Sequence, residues 1–210
     1  CGGDSLAVDG VVIIAEHGEY PYNEKGQHLY PRADIFRQVV DVFDTDGKSV
    51  PVFNDKHLSY DFRKAEAMVD ASRRLGFPML AGSSLPVTWR MPEMEVPLGA
   101  RISEAVAIGT STSLDSSGFH ALEGLQCLVE RRKGGETGIE TVQLLEGDAV
   151  WKAMHERRWS HELMSRALSR SDLVEGITLV DARTQDLAAP GVLEEIVTDP
   201  KAVLVRYRDG

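Results

Sequence analysis

Asp55, Lys56 and His57 place a carboxylate, an ammonium and an imidazole in consecutive positions of the sequence. They follow Val52 and Phe53, a β-branched and aromatic pair of the kind that is enriched in strands. An ammonium beside a reacting hydroxyl stabilises developing negative charge and lowers the pKa of its neighbour. If the strand ends at a ligand site, Lys56 is a candidate catalytic residue; otherwise it is a surface lysine.

His120 is a second candidate for acid–base chemistry. An unperturbed histidine has a pKa of about 6.5, close to working pH, so its imidazole both accepts and donates protons. His120 lies at the beginning of a predicted helix, after a loop that starts at Asp115. The plainer alternative is a histidine that binds a backbone carbonyl at the start of the helix, with Asp115 as a loop or cap residue.

A loop rich in turn formers and aromatic residues runs from Glu16 to Tyr30. Long loops at the end of a strand commonly shape ligand pockets, so we expect Tyr20, Tyr22 and Tyr30 to stack on or hydrogen-bond a sugar-like ligand. The loop also carries metal-donor side chains, but none is spaced as a helical pair of ligands would be, and no metal site is predicted. The donors considered are His17, Glu19, Glu24 and His28.

The elements that position these residues alternate between strands and helices. The apolar runs VVIIA (11–15), VPVFN (50–54) and FPMLAGS (77–83) predict short strands, the first buried on both faces. Between them, one amphipathic helix begins near Pro31, and a second is capped by Ser59 or Asp61 and ends at Gly76. Such lengths predict right-handed crossovers and a parallel sheet, which binds ligands outside the carboxyl ends of its strands.

The second half of the chain has a different pattern. RISEAVAIGTST (101–112), GIETVQLLEG (138–147) and KAVLVRYRDG (201–210) predict strands of an open, mostly antiparallel sheet. A helix is predicted over residues 116–132, and one or two helices over 147–170. This half is therefore expected to be an α+β domain.

The order and spacing of VVIIA, the helix, VPVFNDKHLS, FRKAEAMVDASRRLG and PMLAGSSLPVTWRMP resemble a known family. The chain resembles the glucose-fructose oxidoreductase and inositol dehydrogenase group (Gfo/Idh/MocA-like), whose nucleotide domain has a strand ending in Glu-Lys-Pro. The resemblance implies an α/β fold, with a partial Rossmann-type parallel sheet in residues 1–90 and an α+β substrate and oligomerisation domain in residues 91–210. It also implies that the chain is an internal fragment that lacks the first half of the nucleotide domain.

The resemblance further implies NAD(P)-dependent hydride transfer on a sugar or polyol hydroxyl, with NAD or NADP as the cofactor of the full-length protein. Lys56 would lie near the nicotinamide, while His120 would exchange the hydroxyl proton beside Asp115. The implied cofactor-binding residues at the strand ends are Glu16, His17, Asn54 and Asp55. The expected substrate-binding residues are Tyr20, Tyr22, His57, Trp89 and Arg90.

Two alternatives stay open from the sequence. Asp55 and His57 stand where the family has Glu and Pro, and Asp115 precedes His120 by five positions, whereas the family's spacing is four. These departures favour a non-catalytic ligand-binding or structural relative of the fold. A metal-assisted lyase or isomerase that uses the loop histidines is a weaker alternative.

The composition excludes several classes of protein. The chain has 210 residues, of which 42% are apolar and 27% charged, as in an ordinary globular protein. A net charge of -10 argues against nucleic acid, and no apolar run is much longer than VVIIA, so no membrane span is predicted. Cys1 and Cys127 alone exclude a disulfide framework.

The remaining expectations concern the ends of the chain and its partners. The chain begins with CGGDSLAVDG, which has no initiating Met, and we interpret it as a piece of a longer protein whose compartment is undetermined. The expected partners are a small-molecule substrate and, through the open sheet, further copies of the chain.

Overall fold

The chain folds as two compact units, Cys1–Leu85 (unit 1) and Pro86–Gly210 (unit 2). The computed structural model describes residues 5–15, 18–90, 93–109, 113–168 and 191–210. The sequence predicted the division between residues 90 and 91, a few positions further along the chain.

The described part of the chain contains both helices and strands, which alternate in unit 1. The helices are α1 Arg32–Asp46, α2 Phe62–Leu75, α3 Phe119–Val129, α4 Asp148–His155, α5 His161–Leu168 and α6 Val192–Ile196. The strands are β1 Val11–Ile13, β2 Val52–Asp55, β3 Met79–Gly82, β4 Ile139–Glu146 and β5 Lys201–Tyr207. None of these helices combines the length and the apolarity needed to cross a bilayer.

Unit 1 is built on a parallel sheet in the order β1-β2-β3, with α1 and α2 as its two crossovers. Val12, Phe53 and Leu80 form one row across the three strands. The predicted parallel sheet is therefore confirmed, and the chain is α/β at this level.

The ends of the two crossover helices follow the predicted signals. Pro31 precedes α1, and the helix stops at Gly47, whose φ of 61° is left-handed and suits glycine. The side chain of Asp61 accepts a hydrogen bond from the Lys64 backbone N–H and so caps α2. Ser59, the other predicted cap, instead accepts the N–H of Asp61 through its hydroxyl.

Both helices of unit 1 pack on one face of the sheet. Val12 and Leu80, on the opposite face, are 65% and 71% exposed, and Ile14 is 68% exposed. The prediction that the first strand is buried on both faces was wrong because α1 and α2 contact each other on the face that holds the core. The buried core residues are Ile13, Phe36, Val40, Phe43, Val50, Val52, Met68 and Phe77.

Unit 2 contains an antiparallel pair, β4 and β5, and a small apolar cluster beside it. Both predicted strands are confirmed, and the 147–170 region forms two separate helices, α4 and α5, as far as residue 168. The buried members of the cluster are Leu145, Val150 and Ala153, against which Trp151 and Trp159 pack.

The strand predicted over residues 101–112 was wrong: residues 101–109 have no regular structure, and Thr110–Thr112 lie outside the described residues. Gly99 and Ala100, just before this segment, hydrogen-bond to the turn that follows α3. The Gly99 N–H donates to the Arg131 carbonyl at 2.8 Å, and the Lys133 N–H donates to the Ala100 carbonyl at 2.8 Å. These bonds hold the start of the segment against the end of α3 and not beside a strand.

Arg132, three residues after the end of α3, binds the chain just past β5. It is 7% exposed, and its guanidinium forms a bidentate pair with Asp209 at 3.1 and 2.7 Å. The same guanidinium lies 4.4 Å from the centre of the Tyr207 ring. Hydrogen bonds from Arg132 and from Thr137 lower the pKa of Asp209 to about 2. This pair links the turn after α3 to the residues that follow β5.

Candidate functional site

The carboxyl edge of the unit 1 sheet gathers most of the predicted site residues. In a parallel sheet, all strands end at the same edge, so the loops after β1, β2 and β3 meet there together with the first turns of α1 and α2. We call this region the carboxyl-edge site. Its described members are Tyr20, Tyr22, His28, Tyr30, Arg32, Asn54, Asp55, Lys56 and His57. Glu16 and His17, predicted to bind the cofactor, lie outside the described residues.

The loop after β1 folds back on itself like a small hairpin. Tyr22 and His28 form an antiparallel bridge, and the Asn23 side-chain oxygen accepts the backbone N–H groups of Lys25 and Gln27, both at 3.0 Å. The Gln27 side-chain amide donates to the Tyr60 carbonyl at 2.8 Å. The loop is thereby fastened to the segment that precedes α2.

Aromatic rings from this loop form a continuous cluster. The Tyr22 ring stacks on His28, with 4.5 Å between centroids and 13° between planes. His28 lies 4.2 Å from Tyr30, and Tyr30 meets Tyr20 edge-on at 5.7 Å. Tyr30 also points its ring at His57, 6.1 Å away. The structure therefore brings together three predicted substrate residues, Tyr20, Tyr22 and His57.

Arg32 joins this cluster and was not predicted from the sequence. It is the first residue of α1, is 3% exposed, and places its guanidinium 4.3 Å from the centre of the Tyr30 ring. Its Nη1 lies 3.0 Å from His57 Nε2. The available signal was its position: the first residue of a crossover helix lies at the edge of the sheet where ligands bind.

Asn54 is the last residue of the central strand that faces the core. It has no exposed surface, and its side-chain amide nitrogen donates to the Asp55 carbonyl at 3.3 Å. Its Oδ1 is buried and has no hydrogen-bond partner among the described residues. Since a buried polar atom without a partner costs free energy, this acceptor is a feature that packing alone does not explain.

Lys56 has a strained backbone. Its φ of 63° is left-handed, a conformation that costs a residue with a Cβ roughly 1–2 kcal/mol. The Lys56 N–H donates to the Gly82 carbonyl at 3.1 Å, so the chain turns towards β3 as it leaves β2. The half-buried ammonium lies 2.9 Å from Asp55 Oδ2. Strain of this kind commonly occurs at functional positions.

His120 and Asp115, the other predicted catalytic residues, belong to unit 2. His120 is the second residue of α3, and its Nδ1 lies 3.8 Å from Glu123 Oε2, one turn along the helix. Asp115 lies in a turn of π-helix, Leu114–Gly118, and is half-buried. The sequence did not single out Glu123, although the i, i+3 spacing is a regular signal for such pairs. A common cleft for Lys56 and His120 stays a prediction.

Trp89 and Arg90 also belong to unit 2. The Trp89 side chain is 98% exposed. Arg90 pairs with Glu95, donates to the Met94 carbonyl at 3.4 Å and lies 3.6 Å from the Cys127 sulfur. These contacts give Arg90 a structural role in unit 2, while its predicted role in binding substrate stays a prediction.

Unit 2 contains an open groove of about 560 Å³ that includes none of the predicted site residues. His155 Nε2 lies 3.1 Å from Glu194 Oε1 at its wall. The groove is lined by Asp148, Trp151, Lys152, His155, Glu156 and Glu194.

A metal ion needs several donor side chains at one place, and a dinucleotide needs a place for its pyrophosphate. The described residues contain no group of three or more His, Cys, Asp or Glu side chains placed to hold a metal ion. Helix N-termini bind phosphates through their backbone N–H groups, and here Asp34 lies in the first turn of α1 while Asp61 caps α2. These carboxylates disfavour a pyrophosphate at the N-terminal ends of the two unit 1 helices.

Comparison with protein-family models, with curated proteins and with solved structures found no match for this chain. What the structure defines is an α/β protein with a three-stranded parallel sheet in one unit and a two-stranded antiparallel sheet in the other. Membership of the family that the sequence resembles stays a prediction.

Proposed function

We propose that unit 1 binds a small ligand rich in hydroxyl groups, a sugar or a polyol, at the carboxyl-edge site. The observation that carries this proposal is the aromatic cluster of Tyr20, Tyr22, His28 and Tyr30, which adjoins His57 and the polar end of β2.

Aromatic rings and polar groups suit the two sides of such a ligand. A tyrosine ring offers an apolar face for the C–H groups of a sugar and a hydroxyl for its polar edge. Tyr22 is 67% exposed, so its ring is accessible to a ligand without rearrangement of the core. Binding sites of this kind combine aromatic walls with a few polar groups that fix orientation.

Lys56 would contribute charge to the site. Its ammonium is held 2.9 Å from Asp55 Oδ2, and its left-handed backbone fixes the direction in which the side chain leaves β2. An ammonium held in this way stabilises negative charge that develops on a ligand hydroxyl. The proposed role of Lys56 is therefore to bind and polarise a hydroxyl of the ligand.

Calorimetric titration of the chain with a panel of hexoses, pentoses and inositols tests this proposal. We expect saturable binding that weakens about tenfold in Lys56→Ala, since a hydrogen bond to a charged group contributes about 1.5 kcal/mol. The matched control is Lys48→Ala, which removes an exposed lysine before the other end of β2 and leaves affinity unchanged. Equal affinities for all three proteins, or no binding by the wild type, would contradict the proposal.

The second candidate function is NAD(P)-dependent oxidation of a sugar or polyol hydroxyl, which the sequence resemblance implies. It is favoured by one observation, the strained lysine at the end of β2. In this candidate Lys56 lowers the cost of losing the hydroxyl proton. That His120 of unit 2 receives this proton stays a prediction from the resemblance. The pyrophosphate of the cofactor would have to be held away from the N-terminal ends of α1 and α2, where Asp34 and the cap residue Asp61 place carboxylates.

Titration of the chain with NADH and NADPH, followed by nicotinamide fluorescence, distinguishes the two candidates. Saturable fluorescence enhancement supports the oxidoreductase. Sugar binding without any response to either nucleotide at millimolar concentration supports a ligand-binding protein that has no redox chemistry.

A further inference from the structure

We infer that Arg32 is a positioning residue that holds His57 as the neutral imidazole with its proton on Nδ1. His57 would then act in the carboxyl-edge site as a hydrogen-bond donor of fixed orientation. The part of the inference that concerns ligand recognition rests on the proposed function, while the tautomer itself does not.

The argument begins with the contact between Arg32 and His57. Arg32 Nη1 and His57 Nε2 are 3.0 Å apart, within hydrogen-bond distance. A guanidinium has five N–H donors, has no acceptor and does not lose its charge in proteins. The bond therefore requires a lone pair on Nε2. In a neutral imidazole with an unprotonated Nε2, the proton is on Nδ1.

Arg32 is well placed to impose this state. It is 3% exposed, and its guanidinium is covered by the Tyr30 ring at 4.3 Å. Tyr30 in turn meets the His57 ring edge-on at 6.1 Å, so the three side chains close a triangle. An imidazolium at His57 would have no lone pair on Nε2, so it could not accept the bond from the Arg32 guanidinium.

The tautomer determines what the ring offers to a ligand. With Nε2 engaged by Arg32, the other polar atom of the His57 ring is an N–H donor. An N–H donor at this position favours a ligand that presents an oxygen acceptor, such as a hydroxyl or carbonyl oxygen, to the His57 ring.

Long-range ¹H–¹⁵N NMR of the ¹⁵N-histidine-labelled chain reads this tautomer directly. The His57 signals are assigned by their disappearance in His57→Gln. We expect a protonated-type shift at Nδ1 and an unprotonated-type shift at Nε2, whereas a free histidine favours the proton on Nε2. A wild-type spectrum with the proton on Nε2, or on both nitrogens at pH 7, would overturn the inference.

Two Arg→Met variants then test whether Arg32 is the cause. Arg32→Met is expected to return His57 towards the Nε2–H tautomer. Arg37→Met, which removes an exposed arginine from the same helix, leaves the His57 signals unchanged. If a folded Arg32→Met keeps the Nδ1–H tautomer, Arg32 is not the cause. If this variant does not fold, the wild-type spectrum alone decides the tautomer.

Sugar titration separates this inference from the proposed function. His57→Asn places an amide donor close to the position of Nδ1–H and is expected to bind within about threefold of wild type, whereas His57→Leu loses about tenfold. Equal losses in both variants overturn the donor role. A wild type that shows the Nδ1–H tautomer and binds no sugar overturns the proposed function and leaves the tautomer standing.

Discussion

The two units stabilise themselves in different ways. Unit 1 buries a continuous apolar core under two amphipathic helices, and its aromatic residues Phe36, Phe43 and Phe77 contact one another within it. Unit 2 buries a smaller apolar cluster, and α3 contributes only Val129 to the buried residues described. In its place, unit 2 has a buried arginine that binds the end of β5.

This difference bears on how each unit supports a strained backbone. Left-handed residues other than glycine occur in both units, Lys56 in unit 1 and Arg157 in unit 2, and the core of unit 1 supports Lys56 on the buried face of β2. The Arg132–Asp209 pair, in contrast, depends on charge and therefore on pH. The comparison predicts that unit 1 responds to changes in core volume and unit 2 to changes in protonation.

The largest expected effect is that of Phe43→Ala in unit 1. Phe43 is 1% exposed and its ring lies 5.2 Å from Phe77, so its removal leaves a cavity. We expect a loss of about 3–5 kcal/mol in the free energy of unfolding, measured by urea titration. The control is Leu122→Ala in α3, where the side chain is 37% exposed and the expected loss is below about 1 kcal/mol. Similar losses in the two variants would contradict the comparison.

The next effect is the pH dependence of unit 2. The pKa of Asp209 falls from an ordinary 3.8 to about 2 on folding. Its contribution to the free energy of unfolding is therefore fully present above pH 3.8 and is lost as the pH falls through 2. Asp209→Asn removes this contribution, so the variant melts below wild type at pH 7 and the difference narrows at pH 2. Thermal melts followed by circular dichroism at pH 7 and at pH 2 measure this difference.

Asp70→Asn is the control for this acid dependence. Asp70 is exposed and pairs with Arg73 across one turn of α2 in unit 1, where such pairs contribute little. The same pH-dependent difference in Asp70→Asn as in Asp209→Asn would show that the effect is not specific to the buried arginine.

The smallest expected effect separates strain from function at Lys56. Lys56→Gly relieves the left-handed backbone, and after the entropy cost of glycine we expect unit 1 to be unchanged or stabilised by up to about 1 kcal/mol. Lys56→Ala keeps the left-handed backbone, so we expect no gain in the stability of unit 1. Both variants lose ligand affinity. A lower thermal stability for Lys56→Gly than for Lys56→Ala would contradict the assignment of strain.

Local patterns predicted much of unit 1. The alternation of apolar runs with helical periodicity gave three parallel strands, and Asp61 and Gly76 marked the ends of α2. The exposed face of the sheet was not predicted because it depends on the order of the strands. Two right-handed crossovers that advance in the same direction place both helices on one side of the sheet. That order involves contacts distant in sequence.

The carboxyl-edge site was predicted only in part, again because some of its contacts join residues that are distant in sequence. Lys56, His57 and the loop tyrosines follow strand ends, which a local pattern reveals. Arg32 was missed because its role arises from contacts with Tyr30 and with His57, which is 25 positions away. In unit 2, residues 101–109 resembled a strand by composition, but the Gly99 N–H binds the Arg131 carbonyl, beside a turn.

The most direct measurement compares the histidines of the two units during a sugar titration. With ¹⁵N-histidine-labelled chain and a panel of hexoses and inositols, we predict saturable shifts at His28 and His57, which lie in the carboxyl-edge site. We predict no shift at His155, which lines the groove of unit 2, or at His161 in α5. Shifts confined to His155 and His161, or unchanged His28 and His57 signals at millimolar sugar, would contradict a ligand site at the edge of the unit 1 sheet.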